Sequence, residues 1–259
     1  MVWWKVLGRW HRQTTLPLTI PDELWAWVLD RYPFIAERNE ADVATLRELT
    51  ARFLTSKEFH GAHGLVVTDQ MAVAIAAQAC LPVLRLGLGL YQGFVGVVVH
   101  ADEVVARRSV MDEHGVVHEY DERLTGEAME GGPVMLSWPD VAMGGETSQG
   151  AYNVVIHEFA HVLDMCDGEP NGMPALQSKA AREQWARCLG DAFDAFCNAL
   201  DSGAETFLDP YGAQAPEEFF AVAVEAFFVQ PRGLRAEYHA LYNLLANYFQ
   251  QDPAILVQE

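Results

Sequence analysis

From Pro21 onward, apolar and polar positions fall into helical periods. "PDELWAWVLDRYPF" opens with proline and two acids in its first turn, and "EADVATLRELTARFLTSKEF" repeats apolar residues every three or four positions. "DQMAVAIAAQACLPVLRLG" is Ala-rich and apolar almost all round, which predicts a buried helix stopped near Pro82. Together these predict an N-terminal helical layer over about residues 20–85.

The pattern then changes. "YQGFVGVVVHADEVV" is rich in β-branched and aromatic residues, "GVVHEYDERL" alternates, and "GGPVMLSWPDV" is short, apolar and bounded by Gly and Pro. They predict one small sheet over about residues 90–142, with "MDEHGVV" turning between two of its strands.

After "MGGETSQGAY" the helical period returns, over about residues 150–250. "NVVIHEFAHVLDM" comes first, followed by the long amphipathic "LQSKAAREQWARCLGDAFDAFCNAL". "APEEFFAVAVEAFF" carries Pro216 in its first turn, and "RGLRAEYHALYNLLANYFQQDP" is a last helix. No repeat, low-complexity linker or boundary divides the chain. The expectation is one α+β domain over residues 1–259, mostly helical, with a small β-sheet beside the helix that contains His157.

Composition narrows the partners. The chain has 259 residues, 51% hydrophobic and 20% charged, enough for a sizeable soluble core. Its 36 acids against 17 bases give a net charge of −19, which opposes direct nucleic-acid binding and favours a peptide, protein or small-molecule partner. Cys80, Cys166, Cys188 and Cys197 form no CxxC pair, so neither a zinc ribbon nor a disulfide framework is expected. The start, "MVWWKVLGRWHRQTT", lacks the apolar core of a signal peptide, and no run reaches the roughly 20 apolar residues of a transmembrane segment. A cytoplasmic location follows. Trp3, Trp4 and Trp10 beside basic residues fit either a helix on a membrane surface or a segment packed on the body of the protein. His100, His114 and His118 lack metal-ligand spacing and read as exposed strand or loop residues.

The chemistry is concentrated in "HEFAH", residues 157–161. Residues four apart on a helix lie about 40° apart around the axis and about 6 Å along it, so His157 and His161 can face one ion. Glu158 lies about 100° round from His157, within reach of a water on that ion. This is the arrangement for metal-assisted hydrolysis. Burying two histidines and a glutamate among Val154, Val155, Phe159, Val162 and Leu163 costs free energy unless something pairs them, which favours a metal over a core histidine pair.

A third ligand is required for catalytic zinc. Asp167, ten positions after His157, is the near candidate, although the position where a helix-breaking glycine is needed holds Asp164. The far candidate is Glu218, near the start of "APEEFFAVAVEAFF", with Glu217 as its neighbour on another face. Glu225 shares the face of Glu218 and can accept the second N–H of a ligand histidine. Asp164 either does the same or caps the following turn.

"HEFAHVLDMCDGEPNGMPAL", then "YGAQAPEEFFAVAVEAFF", with "VMLSW" upstream, resembles the family of the bacterial Mlc titration factor A, a zinc-dependent peptidase, over most of the chain. The two helices also resemble, more distantly, the catalytic domain of anthrax lethal factor. The resemblance implies a zincin-like fold of the gluzincin type, with one zinc ion per chain on His157, His161 and Glu218. It implies Glu158 as general base and Tyr211, seven residues before Glu218, as donor to the developing oxyanion. Aminopeptidase-like activity on small substrates is implied too, and so is binding of a Mlc-type glucose-responsive repressor, which the titration factor draws away from DNA.

Three readings are therefore carried forward: a zinc metallopeptidase acting on a peptide or protein substrate, a regulatory protein that binds a repressor, and a structural zinc site. No cysteine falls at a ligand position for the last, although Cys166 lies near. "GPVMLSWPDV" is read either as an edge strand that pairs with an extended peptide or as an ordinary sheet strand with Trp138 in the core.

Overall fold

Helices begin where the sequence supplies caps. Asn39 accepts the Asp42 N–H at 2.9 Å, Thr68 that of Met71 at 3.2 Å, Asn153 that of Ile156 at 2.9 Å and Ser178 that of Ala181 at 3.1 Å. The computed structural model describes residues 19–111, 117–129, 131–144, 150–168 and 170–256, with residues 104–111 and 117–124 given by their backbone pairing. In chain order the elements are α1 (Asp22–Arg31), α2 (Pro33–Ala36), α3 (Glu40–Ser56), β1 (Glu58–Gly61), α4 (Asp69–Cys80) and β2 (Gly96–His100). There follow β3 (Val104–Met111), β4 (Val117–Leu124), β5 (Gly126–Ala128), β6 (Val134–Ser137), α5 (Trp138–Met143) and α6 (Val154–Asp164). The last third holds α7 (Lys179–Asp201), α8 (Pro216–Val229), α9 (Pro231–Glu237), α10 (His239–Phe249) and α11 (Pro253–Leu256). Mostly helical with a small mixed sheet, the chain has the α+β class expected of it.

The sheet runs β1-β2-β6-β5, with β1, β2 and β6 parallel and β5 antiparallel to β6. Val97 and Val99 of β2 and Val134 and Leu136 of β6 are all buried, one face of a two-residue alternation laid against the helices. Behind them α4 buries every residue from Met71 to Cys80, as its near-continuous apolar sequence demands. One hydrophobic core runs from Ile20 to Phe249.

Four expectations need correction. The helix expected through Phe59 ends at Ser56, because the Lys57 ammonium donates to the carbonyls of Tyr91 and Phe94 and lies 4.0 Å from the Phe94 ring centre. The chain leaves the helix there and becomes β1, so the helical layer contains a strand. "GVVHEYDERL" does not join the sheet: among the described residues β4 pairs only with β3, in a separate antiparallel ribbon. "GPVMLSWPDV" is no edge strand, since β6 lies between β2 and β5, and Trp138 starts α5 half-buried against the core. The last predicted helix is two, because Tyr238 leaves helical geometry at φ −126° and ψ 57° between α9 and α10.

His100 is half-buried rather than exposed, and its ring centre lies 6.0 Å from that of His63. The readings of Trp3, Trp4, Trp10 and His114 and most of the "MDEHGVV" turn lie outside the described residues, as does the side chain of His118. Among the described residues, no helix is long and apolar enough to cross a membrane.

Candidate metal centre

Helix α6 is held by both of its faces. On the core side the Phe159 ring packs edge-on against Tyr91 and Phe53, at centroid distances of 5.0 and 5.8 Å, and meets Phe94 at 5.6 Å. That fixes the rotation of the helix and turns His157 and His161, ring centres 4.9 Å apart, toward α8. In α8 everything from Phe219 to Phe228 is buried, while Pro216 at the first helical position leaves the N-terminal turn free to present Glu218. Packing of α8 on α6 brings two regions 61 residues apart into hydrogen-bonding range.

The three side chains then make a small triangle. His157 Nε2 is 3.0 Å from Glu218 Oε2, His161 Nε2 is 3.4 Å from the same oxygen, and the two imidazole nitrogens are 3.2 Å apart. Ligands about 2.0 Å from a tetrahedral zinc ion stand about 3.3 Å from one another, so the triangle has the edge lengths of one face of such a site. Two nitrogens and a carboxylate oxygen also form the borderline-soft donor set that zinc takes. The residues present fit the ion. Among the described residues this is the only group of three His, Cys, Asp or Glu side chains close enough to hold a metal.

The imidazoles and carboxylates stabilise one another's charged forms. Burial opposes ionisation of Glu218, yet hydrogen bonds from His157 and His161 hold its carboxyl down at about 2. Burial likewise works against a charged His157, and the hydrogen bonds to Glu218 and Glu225 overcome it and raise the imidazole well above its ordinary value.

Behind the triangle lies a buried support. His157 Nδ1 donates to Glu225 Oε1 at 2.8 Å, and Glu225 Oε2 accepts the backbone N–H of Asn153. The Asn153 amide donates in turn to Gln78 Oε1 and to the Gly144 carbonyl, each at 2.7 Å, while its oxygen caps α6. Burial pushes the Glu225 carboxyl up, against the pull of the His157 hydrogen bond.

Glu158 is 5% exposed and lies against β5. A Cβ on Gly126 would stand 2.5 Å from Glu158 Oε1, so only glycine leaves room for the carboxylate there. Burial raises the Glu158 carboxyl above its ordinary range, partly offset by the charges of His157 and His161.

The remaining candidates separate. Tyr211 sits in a short turn whose backbone N–H donates to Asp209 at 2.9 Å; it is 41% exposed, with its ring centre 5.9 Å from that of His157. Asp164 accepts the N–H groups of Asn171 at 3.0 Å and Gly172 at 2.7 Å, and its other oxygen has no hydrogen-bond partner. It therefore caps the following turn, and neither histidine N–H reaches it. Asp167 is exposed beyond the end of α6, and neither it nor Glu217 belongs to the three-donor group. A cleft of about 640 Å³ opens beside His157 and Glu158, with Tyr211 and Tyr152 in its walls.

Sequence reasoning passed over Asn153 and Gly126. Asn153 had a signal, since an asparagine directly before an apolar helical run marks a helix start. Gly126 had none, because it matters only through its place beside Glu158, on a different element.

Comparison with known proteins places this chain among metallopeptidases. Residues 7–250 match the family described as Glucose-regulated metallo-peptidase M90. An uncharacterized protein of Synechocystis sp. is 33% identical over 247 residues, covering 95% of this chain and 90% of the relative. Proteins named Mlc titration factor A from Yersinia pestis and Yersinia pseudotuberculosis are each 30% identical over 252 residues, covering 96% of this chain and 86% of theirs.

Proposed function

Because the chain belongs to the glucose-regulated metallo-peptidase family M90, we propose that it is a zinc-dependent peptidase of the gluzincin type, with aminopeptidase-like activity, working in the cytoplasm. In this reading His157, His161 and Glu218 hold one zinc ion per chain, Glu158 is the general base and Tyr211 the oxyanion donor. The observation that carries it is the donor triangle of 3.0, 3.2 and 3.4 Å with Glu158 beside it.

When bound, the ion supplies a Lewis acid that acidifies water and polarises a carbonyl. The chain's own residues do the rest. Glu158, its pKa raised by burial, is tuned toward taking a proton at neutral pH and delivering it to the leaving amine nitrogen. The Tyr211 hydroxyl donates a hydrogen bond to oxygen as negative charge develops on it. Glu225 keeps the His157 ring in one tautomer and one orientation. Among the described residues no strand pairs with the outer edge of β5, which leaves it to receive an extended peptide backbone next to Glu158.

Elemental zinc analysis together with hydrolysis of aminoacyl chromogenic substrates tests this, on wild type, Glu218→Ala and Asp167→Ala. Loss of zinc and activity in Glu218→Ala alone is expected. Loss in Asp167→Ala alone would move the third ligand to the end of α6 and end the gluzincin reading.

A second reading rests on the relatives' name, Mlc titration factor A, borne by proteins that align with 96% of this chain. On this reading the chain binds a Mlc-type repressor, and catalysis is secondary. Equal capture of purified repressor by wild type and Glu158→Gln is the expected result; failure of both to bind would remove the repressor as a partner.

A further inference from the structure

Among the described residues, the cleft beside His157 is lined by four carboxylates, those of Asp140, Glu158, Asp209 and Glu225, and by no lysine or arginine. Three of the four already have work. Glu225 is engaged by His157 and the Asn153 backbone, Glu158 lies against the donor triangle, and exposed Asp209 accepts the Tyr211 N–H. Asp140 does not fit this account. It is only 8% exposed, yet the one hydrogen bond its carboxylate makes among the described residues is from the Tyr152 hydroxyl to Oδ1, at 3.2 Å. Its second oxygen makes no hydrogen bond among the described residues, and Asp140 lines the cleft wall. A buried carboxylate without a cation is costly, and a site that keeps one is prepared for a positive charge that arrives with a ligand.

The walls describe that ligand further. The same cleft is faced by Ala151, Val154, Leu208 and Val222, apolar side chains suited to a hydrocarbon stem. Apolar walls with a buried carboxylate among them match a long side chain with a cationic tip. Tyr152 holds the carboxylate in place, and burial pushes its phenol up against the opposing pull of a hydrogen bond with Thr125.

We propose that Asp140 determines specificity, receiving the ammonium or guanidinium of a lysine or arginine side chain that the peptide substrate inserts into this cleft. The charge-assisted hydrogen bond forms at Oδ2 while Tyr152 keeps Oδ1, and the stem covers Val154 and Val222. The inference rests on the peptidase reading for its kinetics, but the binding it asserts does not.

The test uses short peptides that differ only in lysine or norleucine at the positions on either side of the cleaved bond, each with a free and an acetylated amino terminus. Zinc-loaded wild type is expected to favour lysine at one position. In Asp140→Asn, which keeps the shape and a partner for Tyr152, the lysine-to-norleucine ratio of kcat/KM should fall about a hundredfold. Equal loss on both peptides would make Asp140 a structural residue and overturn the proposal. So would a loss that follows the free amino terminus whatever the side chain, which would assign Asp140 to the α-ammonium. Calorimetric binding of the same peptides to full-length Glu158→Gln and to the Asp140→Asn, Glu158→Gln double variant separates these outcomes without turnover. If wild type cleaves nothing while lysine peptides still bind through Asp140, the peptidase reading fails and the cation pocket stands.

Discussion

Glu225 Oε1 lies 2.8 Å from His157 Nδ1, and the other oxygen of the same carboxylate accepts the backbone N–H of Asn153. One buried side chain on α8 thus fixes both the ring of His157 and the first turn of its helix. With Nδ1 committed to Glu225, Nε2 is the ring nitrogen that faces Glu218 and His161 and is left for a metal.

Replacing Glu225 should therefore loosen metal without removing a donor of the triangle. In Glu225→Ala we expect zinc affinity to fall about 10- to 100-fold, measured by competition with a chromogenic chelator. Unchanged affinity would leave Glu225 with a packing role only.

Glu158→Gln keeps the side-chain volume and removes the proposed base. Hydrolysis should fall about 10²- to 10⁴-fold, with one zinc per chain still found by elemental analysis. Undiminished turnover would take Glu158 out of the mechanism.

Gly126→Ala tests the same carboxylate from the outside. The added methyl would meet Glu158 Oε1 at 2.5 Å and must displace it, and a shift of about 1 Å costs about a hundredfold in rate. Zinc content should stay at the wild-type level, so a drop in metal would show that the glycine serves the fold and not the base.

Tyr211→Phe should lower kcat about 10²-fold or more, the cost of one oxyanion donor, with little change in KM. The Asp209 carboxylate holds the turn through the Tyr211 backbone N–H, and a melting temperature equal to wild type would place the loss in the reaction and not in the turn. Full activity in the variant would leave the oxyanion without Tyr211.

Asn153→Ala removes a helix cap worth about 1 kcal/mol and strands the Gln78 carbonyl in a fully buried position, a further cost of about 1–3 kcal/mol. A fall in melting temperature of about 5–10 °C is expected for a protein of this size. A fall within the scatter of surface variants would mean that α4 and α6 are held together by their apolar faces alone.

Legibility in the sequence tracked distance along the chain. His157, Glu158 and His161 could be grouped because helical geometry alone decides where residues one and four apart point. Glu218 could not be chosen over Asp167 by spacing, because the choice depends on how α8 packs on α6, and a family resemblance carried it. The strands β1 and β5 have four and three residues, too few for an alternation to show, and they exist only through long-range pairing with β2 and β6. Asp164 was readable as one of two things, and the turn at Asn171 and Gly172 decided between them. Gly126 was silent for the same reason as β1: it acquires its meaning from Glu158, a neighbour supplied by a different element.

The 61 residues between His157 and Glu218 also set an order of events at the ribosome. At about 5–20 residues per second the two histidines emerge about 3–12 s before the carboxylate that joins them. A nascent or prematurely terminated chain that ends before Pro216 therefore carries both histidines and the glutamate between them, but neither Glu218 to complete the triangle nor Glu225 to orient His157. If the proposed site is the active one, hydrolytic capacity is acquired only when α8 docks, and incomplete products of translation are left without it.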